Sequence, residues 1–157
     1  MDENTFAALM GRLTREIAGA PLGTALQMHL NADHGPGSDL FEAIFDACKI
    51  GVKEGWICNR EGGGIRYGRV LKATEATHGF SVDVVDMENR VGPYHVHPNG
   101  EIDLIMPLTP GACFDANPAG WCVYEPSSGH RPTVTKGRAL VLYLLPQGAI
   151  DFTPEAA

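Results

Sequence analysis

The chain has 157 residues, of which 44% are hydrophobic and 20% charged, and this length and composition fit one compact domain. Twelve Lys and Arg against 19 Asp and Glu give a formal net charge of −7, and no stretch gathers the basic residues that a dedicated nucleic-acid binder needs. The longest apolar run, residues 139–145, is too short for a membrane helix, and residues 1–4 lack the basic and apolar segments of a secretory signal, so we expect a cytoplasmic protein.

Hydrophobic residues recur every three or four positions in two stretches of the first third of the chain, which is typical of amphipathic helices. Asn4 or Thr5 can cap the first helix, and Asp39 followed by Glu42 has the capping-box spacing that begins the second. A short helix is a candidate between them, although Gly23 disfavours it. Because isolated helices of this length are marginal in water, both apolar faces must pack against another layer. These faces comprise Phe6, Leu9, Met10, Leu13 and Ile17, and then Leu40, Phe41, Ile44, Phe45, Cys48 and Val52.

From Gly62 onward, short β-rich runs alternate with Gly, Pro and Asn, a pattern typical of a sandwich or barrel. We therefore predict one α+β domain over residues 1–157, in which a helical extension, residues 1–58, packs on a small antiparallel β-barrel, residues 60–154. The four cysteines show no CxxC spacing and are expected to be reduced and mostly buried. The predicted strands are residues 65–72, 80–87, 94–97, 101–108, 121–125 and 138–145.

Two histidines and a glutamate form the most informative pattern in the sequence. On a strand, His95 and His97 point to the same face. The Pro-Asn-Gly at residues 98–100 is a strong turn signal, and the reversal brings Glu101 beside the two histidines. His130, which follows a strand and a Pro/Gly turn, is a fourth candidate ligand. Such a set suits one divalent ion of iron, manganese, zinc or nickel and leaves positions open for substrate.

These residues resemble the two motifs of the cupin superfamily. In the first motif, G-x5-H-x-H-x3,4-E-x6-G, the histidine pair and Glu101 match the three ligand positions. In the second, G-x5-P-x-G-x2-H-x3-N, the matches are Gly120, Pro126 and His130. Gly92 lies too close to the histidine pair for the first motif, and the final asparagine of the second is absent, departures that affect turns rather than ligands. The resemblance implies a small barrel that holds its metal ion with three histidines and one glutamate.

Four blocks of the chain also resemble the 4-hydroxylaminobenzoate lyases of bacterial nitrobenzoate degradation. The blocks are GIRYGRV from Gly64, HGFSVDVVDM from His78, HPNGEIDLIMP from His97 and GHRPTV from Gly129. The similarity extends through the N-terminal helices and so covers nearly the whole chain. It implies a metal-dependent carbon–nitrogen lyase that converts 4-hydroxylaminobenzoate to 3,4-dihydroxybenzoate with release of ammonia, whereas composition and spacing alone indicate only a metal pocket.

A small aromatic carboxylate substrate requires a cation, and a guanidinium can bind it through two hydrogen bonds. Arg66 is a candidate because it shares a strand face with two glycines, where a ligand can approach closely. Arg131, next to His130, is a second candidate, and Tyr67 is a candidate for contact with the aromatic ring. For both arginines, a solvated surface position is an equally good interpretation.

The chemistry implied for this substrate uses the metal ion as a Lewis acid and also needs a group that transfers protons. Asp103, on the same strand face as Glu101, is a catalytic candidate, and so are His78 and Glu125. Asp103 equally fits a supporting role for a metal-ligating histidine. Glu101 is counted among both the catalytic residues and the ligands.

Two other functions remain open at this point. A metal-dependent cupin dioxygenase acting on a small aromatic acid would consume oxygen, whereas a non-catalytic cupin would bind a small ligand without forming product. Since small barrels often associate through exposed sheet edges, a homodimer is also expected.

Overall fold

In the computed structural model, which describes residues 1–152, three helices are followed by nine strands. No helix in this described part of the chain has the length and apolarity needed to cross a bilayer. The predicted α+β class is confirmed, and the last two residues of the predicted barrel region, 153 and 154, lie outside the described residues. The elements are α1 (Glu3–Ile17), α2 (Thr24–His34), α3 (Asp39–Glu54), β1 (Arg60–Gly62), β2 (Ile65–Leu71), β3 (Phe80–Val91), β4 (His95–His97), β5 (Glu101–Pro107), β6 (Cys113–Phe114), β7 (Gly120–Tyr124), β8 (Ser128–His130) and β9 (Thr133–Pro146).

The two predicted amphipathic helices are present, but their caps differ from the prediction. The carboxylate of Asp2 accepts a hydrogen bond from the Thr5 backbone N–H at 2.8 Å, so α1 begins earlier than predicted. The hydroxyl of Ser38, not Asp39, caps α3 by accepting from the Phe41 N–H at 3.3 Å. At the start of each helix, neighbouring short polar residues can all accept a hydrogen bond from the unpaired backbone N–H groups of the first turn. The sequence spacing alone therefore does not identify which of these residues is the N-cap.

The candidate short helix, α2, is present and lies against β7. The Asn31 side chain forms two hydrogen bonds with Trp121, accepting from its backbone N–H at 2.8 Å and donating to its carbonyl at 2.9 Å. The Gln27 side chain accepts a further hydrogen bond from the Val123 N–H at 2.9 Å. Side-chain amides of α2 therefore satisfy backbone groups along the free edge of β7.

The strands form one seven-stranded antiparallel sheet and one two-stranded antiparallel sheet. In the larger sheet the order is β1-β2-β3-β9-β5-β7, with β6 paired to β9, and the smaller sheet consists of β4 and β8. The six predicted strands are present, whereas β1, β6 and β8 were not predicted. Each of these three has at most three residues and lacks the alternating apolar pattern that marks a half-buried strand.

The two faces of the larger sheet have different surroundings. On β5, Ile102, Leu104 and Met106 pack in one core with the apolar faces of the helices, as their alternation predicted. Ile105 points to the opposite face of β5 and belongs to a second hydrophobic core on that face of the sheet. Because Glu101 and Asp103 alternate with the helix-facing residues, they lie on the face turned away from the helices. The helices thus complete one core and leave the other face of the sheet to the site described next.

Candidate metal centre

Three strands bring the four predicted ligands together. His95 and His97 lie on β4, and His130 on β8 is directly opposite His95 in the antiparallel register. Glu101 is the first residue of β5, immediately after the predicted turn. In this turn Gly100 has φ of +86°, and an added Cβ would lie 2.7 Å from the carbonyl oxygen of Tyr124. Only glycine fits there, so the turn that delivers Glu101 depends on this residue.

The ligand atoms of the cluster lie close to one another. The Nε2 atom of His95 is 2.9 Å from Nε2 of His97 and 3.1 Å from Nε2 of His130. The Glu101 carboxylate lies 3.3 Å from His97, 3.7 Å from His95 and 3.8 Å from His130. His95, His97 and Glu101 are buried, while the His130 side chain is 13% exposed. The cluster is therefore reachable from one side only.

Ser128 orients His97. Its hydroxyl donates to the carbonyl of Glu125 at 2.7 Å and lies 3.0 Å from Nδ1 of His97. Since the one hydroxyl proton is already used, Ser128 accepts from an N–H at Nδ1 of His97. The Nε2 atom of His97 then carries a lone pair that points into the cluster.

Asp115 orients His130 in the same way. Its carboxylate accepts hydrogen bonds from Nδ1 of His130, from the Tyr124 hydroxyl and, at 2.9 Å, from the Thr133 N–H. Burial raises the pKa of Asp115, but the hydrogen bonds from His130 and Tyr124 outweigh it and hold the pKa below its usual value. An ionised Asp115 fixes the proton of His130 on Nδ1 and frees Nε2 to act as a ligand. Sequence reasoning missed Asp115, which lies 15 residues before His130 in a turn.

The donor set of the cluster fits a metal ion. One nitrogen atom from each of three imidazoles and a carboxylate oxygen lie within 4.8 Å of one another, an arrangement that a cation would stabilise. Burial acts to raise the pKa of Glu101, whereas the neighbouring imidazoles of His95 and His97 act to lower it, and the net effect is a pKa below the usual value. Neither carboxylate oxygen of Glu101 has a hydrogen-bond partner among the described residues. The four residues could thus hold one divalent ion.

Asp103 is the next residue on the same face of β5 and is fully buried. Its cross-strand neighbours are Cys122 and Tyr143, and neither of its oxygens has a hydrogen-bond partner in the described chain. Burial and the nearby charge of Glu101 raise the pKa of Asp103 well above its usual value. Both effects favour the protonated form of Asp103 over the ionised form.

A cavity of about 1070 Å³ adjoins the cluster at His95. Tyr67 lines this cavity, as predicted for a ring contact, and the buried side chain of Tyr143 lines it as well. Charged residues also reach it. They are Arg60, Arg69, Lys72 and Asp83.

The remaining predicted site residues lie elsewhere. Arg66 is not among the cavity residues, because Ile65 and Tyr67 occupy the cavity face of β2 and Arg66 alternates with them. Arg131 is exposed and follows His130. His78 lies outside both the cluster and the cavity, with Nδ1 3.0 Å from the hydroxyl of Thr14 on α1. Glu125 has an exposed side chain and contributes its backbone carbonyl to Ser128.

Comparison with known proteins gives a consistent picture. The family model of the 4-hydroxylaminobenzoate lyases (PnbB) matches residues 8–152. A protein named 4-hydroxylaminobenzoate lyase from Nocardioides sp. (strain LMS-CY) is 37% identical over 153 residues, covering 90% of each chain. One with the same name from Pseudomonas putida is 32% identical over 149 residues, covering 83% of this chain and 84% of its own.

Similar solved structures include cupin proteins. An RmlC-like cupin protein from Ralstonia eutropha JMP134 aligns with a TM-score of 0.42 and 12% identity, covering 54% of this chain and 57% of its own. An oxalate oxidase aligns with a TM-score of 0.36 and 22% identity, covering 60% of this chain and 57% of its own.

Proposed function

This chain belongs to the 4-hydroxylaminobenzoate lyase family, and on that premise we propose that it converts 4-hydroxylaminobenzoate to 3,4-dihydroxybenzoate and ammonia with the help of one divalent metal ion. The observation that carries the metal dependence is the convergence of three imidazoles and one carboxylate beside a cavity lined by aromatic side chains. We expect His95, His97, Glu101 and His130 to hold the ion. When bound there, the ion supplies Lewis acidity toward an oxygen of the substrate.

The proposed conversion balances with one water molecule. The N–O bond, the ring C–N bond and one C–H bond of the neighbouring ring carbon break, two ring C–O bonds form, and the nitrogen leaves as ammonia after taking up protons. The nitrogen gains the two electrons that the ring loses, so the reaction needs no external oxidant. This balance separates the lyase from the dioxygenase alternative, which consumes oxygen.

The cavity provides a place for the substrate ring. Tyr67 and Tyr143 offer aromatic surface, and ring pairs of this kind favour stacked or edge-to-face contacts. Burial raises the pKa of Tyr143 well above its usual value, so its hydroxyl stays neutral and can donate a hydrogen bond. Binding in this cavity places the ring next to His95 and surrounds it mostly with protein instead of water.

Asp103 is the proposed proton-transfer group. Asp103 lies on the same face of β5 as Glu101 and has a raised pKa, and we expect it to exchange a proton with the leaving hydroxyl or the attacking water. We propose no catalytic role for His78, whose ring contacts α1. We propose no substrate contact for Arg66 either, because it does not line the cavity. The role predicted for Arg131, the cytoplasmic location and the homodimer stay predictions.

An ammonia-release assay with 4-hydroxylaminobenzoate tests the proposal, run on protein of determined metal content before and after chelation. We expect one ammonia for each 3,4-dihydroxybenzoate, without oxygen uptake, and loss of turnover on chelation. Replacement of His97 by Ala should abolish metal binding and turnover, whereas Met28→Ala, at an exposed position of α2, should change neither. Full activity of metal-depleted protein would contradict the metal dependence, and oxygen uptake matched to product would favour a dioxygenase.

A further inference from the structure

The cavity beside the cluster has a cationic end, formed by Arg60, Arg69 and Lys72 with a single carboxylate, Asp83. We propose that Arg60 binds the carboxylate of the substrate and thereby makes the site specific for aromatic acids. This inference rests on the proposed function, because it names the group that orients the substrate of that same site.

The strand register places Arg60 on the cavity face of the sheet. Arg60 on β1 is directly opposite Tyr67 on β2, and both residues line the cavity. Arg66 is paired instead with Glu61 and Asp86, on the alternate face. A guanidinium next to an aromatic ring in the same cavity matches the two chemical parts of a benzoate.

The partners and the shapes of the three cationic groups distinguish Arg60 from Arg69 and Lys72. The Arg69 guanidinium already binds the Asp83 carboxylate through two hydrogen bonds of 2.8 and 3.2 Å and donates to the Gly148 carbonyl at 3.3 Å. Ion pairs with carboxylates are formed by Lys49, Arg69 and Arg138, but not by Arg60 or Lys72 among the described residues. Of these two, the planar guanidinium of Arg60 offers a pair of parallel donors to a carboxylate, which an ammonium does not.

The position of Arg60 also sets the direction in which the substrate lies. The cavity extends from Arg60 and Gly62 on β1 to His95 in the cluster. A benzoate whose carboxylate is bound by Arg60 and whose ring contacts Tyr67 would leave its para substituent in the part of the cavity farther from β1. The proposal thus assigns Arg60 a role in the orientation of the substrate.

A comparison of two non-reacting ligands measures the carboxylate contact directly. Binding of 4-aminobenzoate and of aniline, which lacks the carboxylate, is measured by calorimetry for the metal-loaded wild-type protein, Arg60→Gln and the matched control Arg66→Gln. We expect Arg60→Gln to weaken 4-aminobenzoate binding by about 10- to 100-fold, the range for a lost charge-assisted hydrogen bond, and to leave aniline binding unchanged. Arg66→Gln should change neither. Thermal unfolding verifies that each variant is folded.

The same binding measurements on variants of the other two cations can contradict the assignment to Arg60. If Lys72→Gln or Arg69→Gln loses the preference for 4-aminobenzoate while Arg60→Gln keeps it, the assignment to Arg60 is overturned. Equal binding by Arg60→Gln and the wild type overturns it even when the wild type is an active lyase. Conversely, a selective loss of 4-aminobenzoate binding supports the carboxylate site even when the ammonia assay is negative, so the two proposals fail separately.

Discussion

Replacing Asp115 by Asn tests whether the partners of the imidazoles prepare the cluster for a metal ion. One oxygen of Asp115 accepts hydrogen bonds from both His130 and Tyr124, and the other accepts from the Thr133 N–H. In Asp115→Asn, the amide can keep the contact to Thr133 but presents an NH₂ group to two donors. His130 can then avoid the clash only by moving its proton from Nδ1 to Nε2, which removes the lone pair from the cluster.

The expected loss is that of a carboxylate that supports a metal-ligating histidine, about 10- to 100-fold in metal affinity. This corresponds to about 1.4 to 2.7 kcal/mol. Tyr124→Phe is the matched control, because it keeps the carboxylate and the ring that packs 4.7 Å from the His130 ring while removing one hydrogen bond. We expect its affinity to fall by less than that of Asp115→Asn. His130→Ala removes the proposed ligand itself and should show the largest loss of metal affinity among these variants.

Competition with a chromophoric chelator measures the affinity for zinc and manganese. Nitrogen chemical shifts of the histidines in the metal-free protein report the tautomer of His130 independently of activity. We expect Asp115→Asn to shift that signal from an Nδ1–H to an Nε2–H form. A variant that binds metal within twofold of the wild type, with an unchanged tautomer, would refute the assignment of Asp115 as the residue that orients His130.

Three further predictions concern the fold. Gly51→Ala would place a Cβ 2.5 Å from the buried side chain of Ile57, so urea unfolding should show a loss of about 1–3 kcal/mol instead of the gain expected in an open helix. Asn31→Ala leaves the Trp121 backbone groups without their partner and should lower the free energy of unfolding by about 1–3 kcal/mol, and an unchanged value would show that water replaces the amide. Burial raises the pKa of Cys58 to about 12, above the value of about 8.5 for an unfolded thiol, so its stabilising contribution is complete below pH 8.5 and is lost as the pH rises toward 12. Unfolding at pH 8 and pH 10 should therefore show a steeper loss for the wild type than for Cys58→Ala, and parallel losses would contradict the assignment.

The ligand positions were predictable because they depend on local geometry. The two histidines on one strand face follow from the alternation of side chains, and the turn before Glu101 follows from its Pro-Asn-Gly sequence. His130 was found by resemblance to a motif, and the register of β4 with β8 explains its position opposite His95. The apolar faces of α1 and α3 were predictable for the same local reason. A hydrophobic period near 3.6 residues is visible in the sequence of a helix whatever surface the helix packs against.

The residues that were missed depend on contacts between distant segments. Asp115 reaches His130 only because β6, directly before it, pairs with the beginning of β9. Arg60 lies on a three-residue polar strand that no local pattern marks. Arg66 was expected to face a ligand because it shares a strand face with two glycines. In the structure the apolar Ile65, on the other face of β2, is buried in the second core, so that face turns inward.

The contacts between α2 and β7 have a consequence for how two copies of this chain could associate. A terminal strand normally offers a row of unused backbone donors and acceptors to which another polypeptide can add. The amides of Asn31 and Gln27 occupy groups of this row on β7, so strand addition there would first have to displace a helix. At the other boundary of the larger sheet, β1 is short and its three residues are exposed. A continuous extension of the larger sheet across two copies would therefore form at β1, and because Arg60 and Gly62 of β1 line the cavity, such an assembly would change that wall of the cavity.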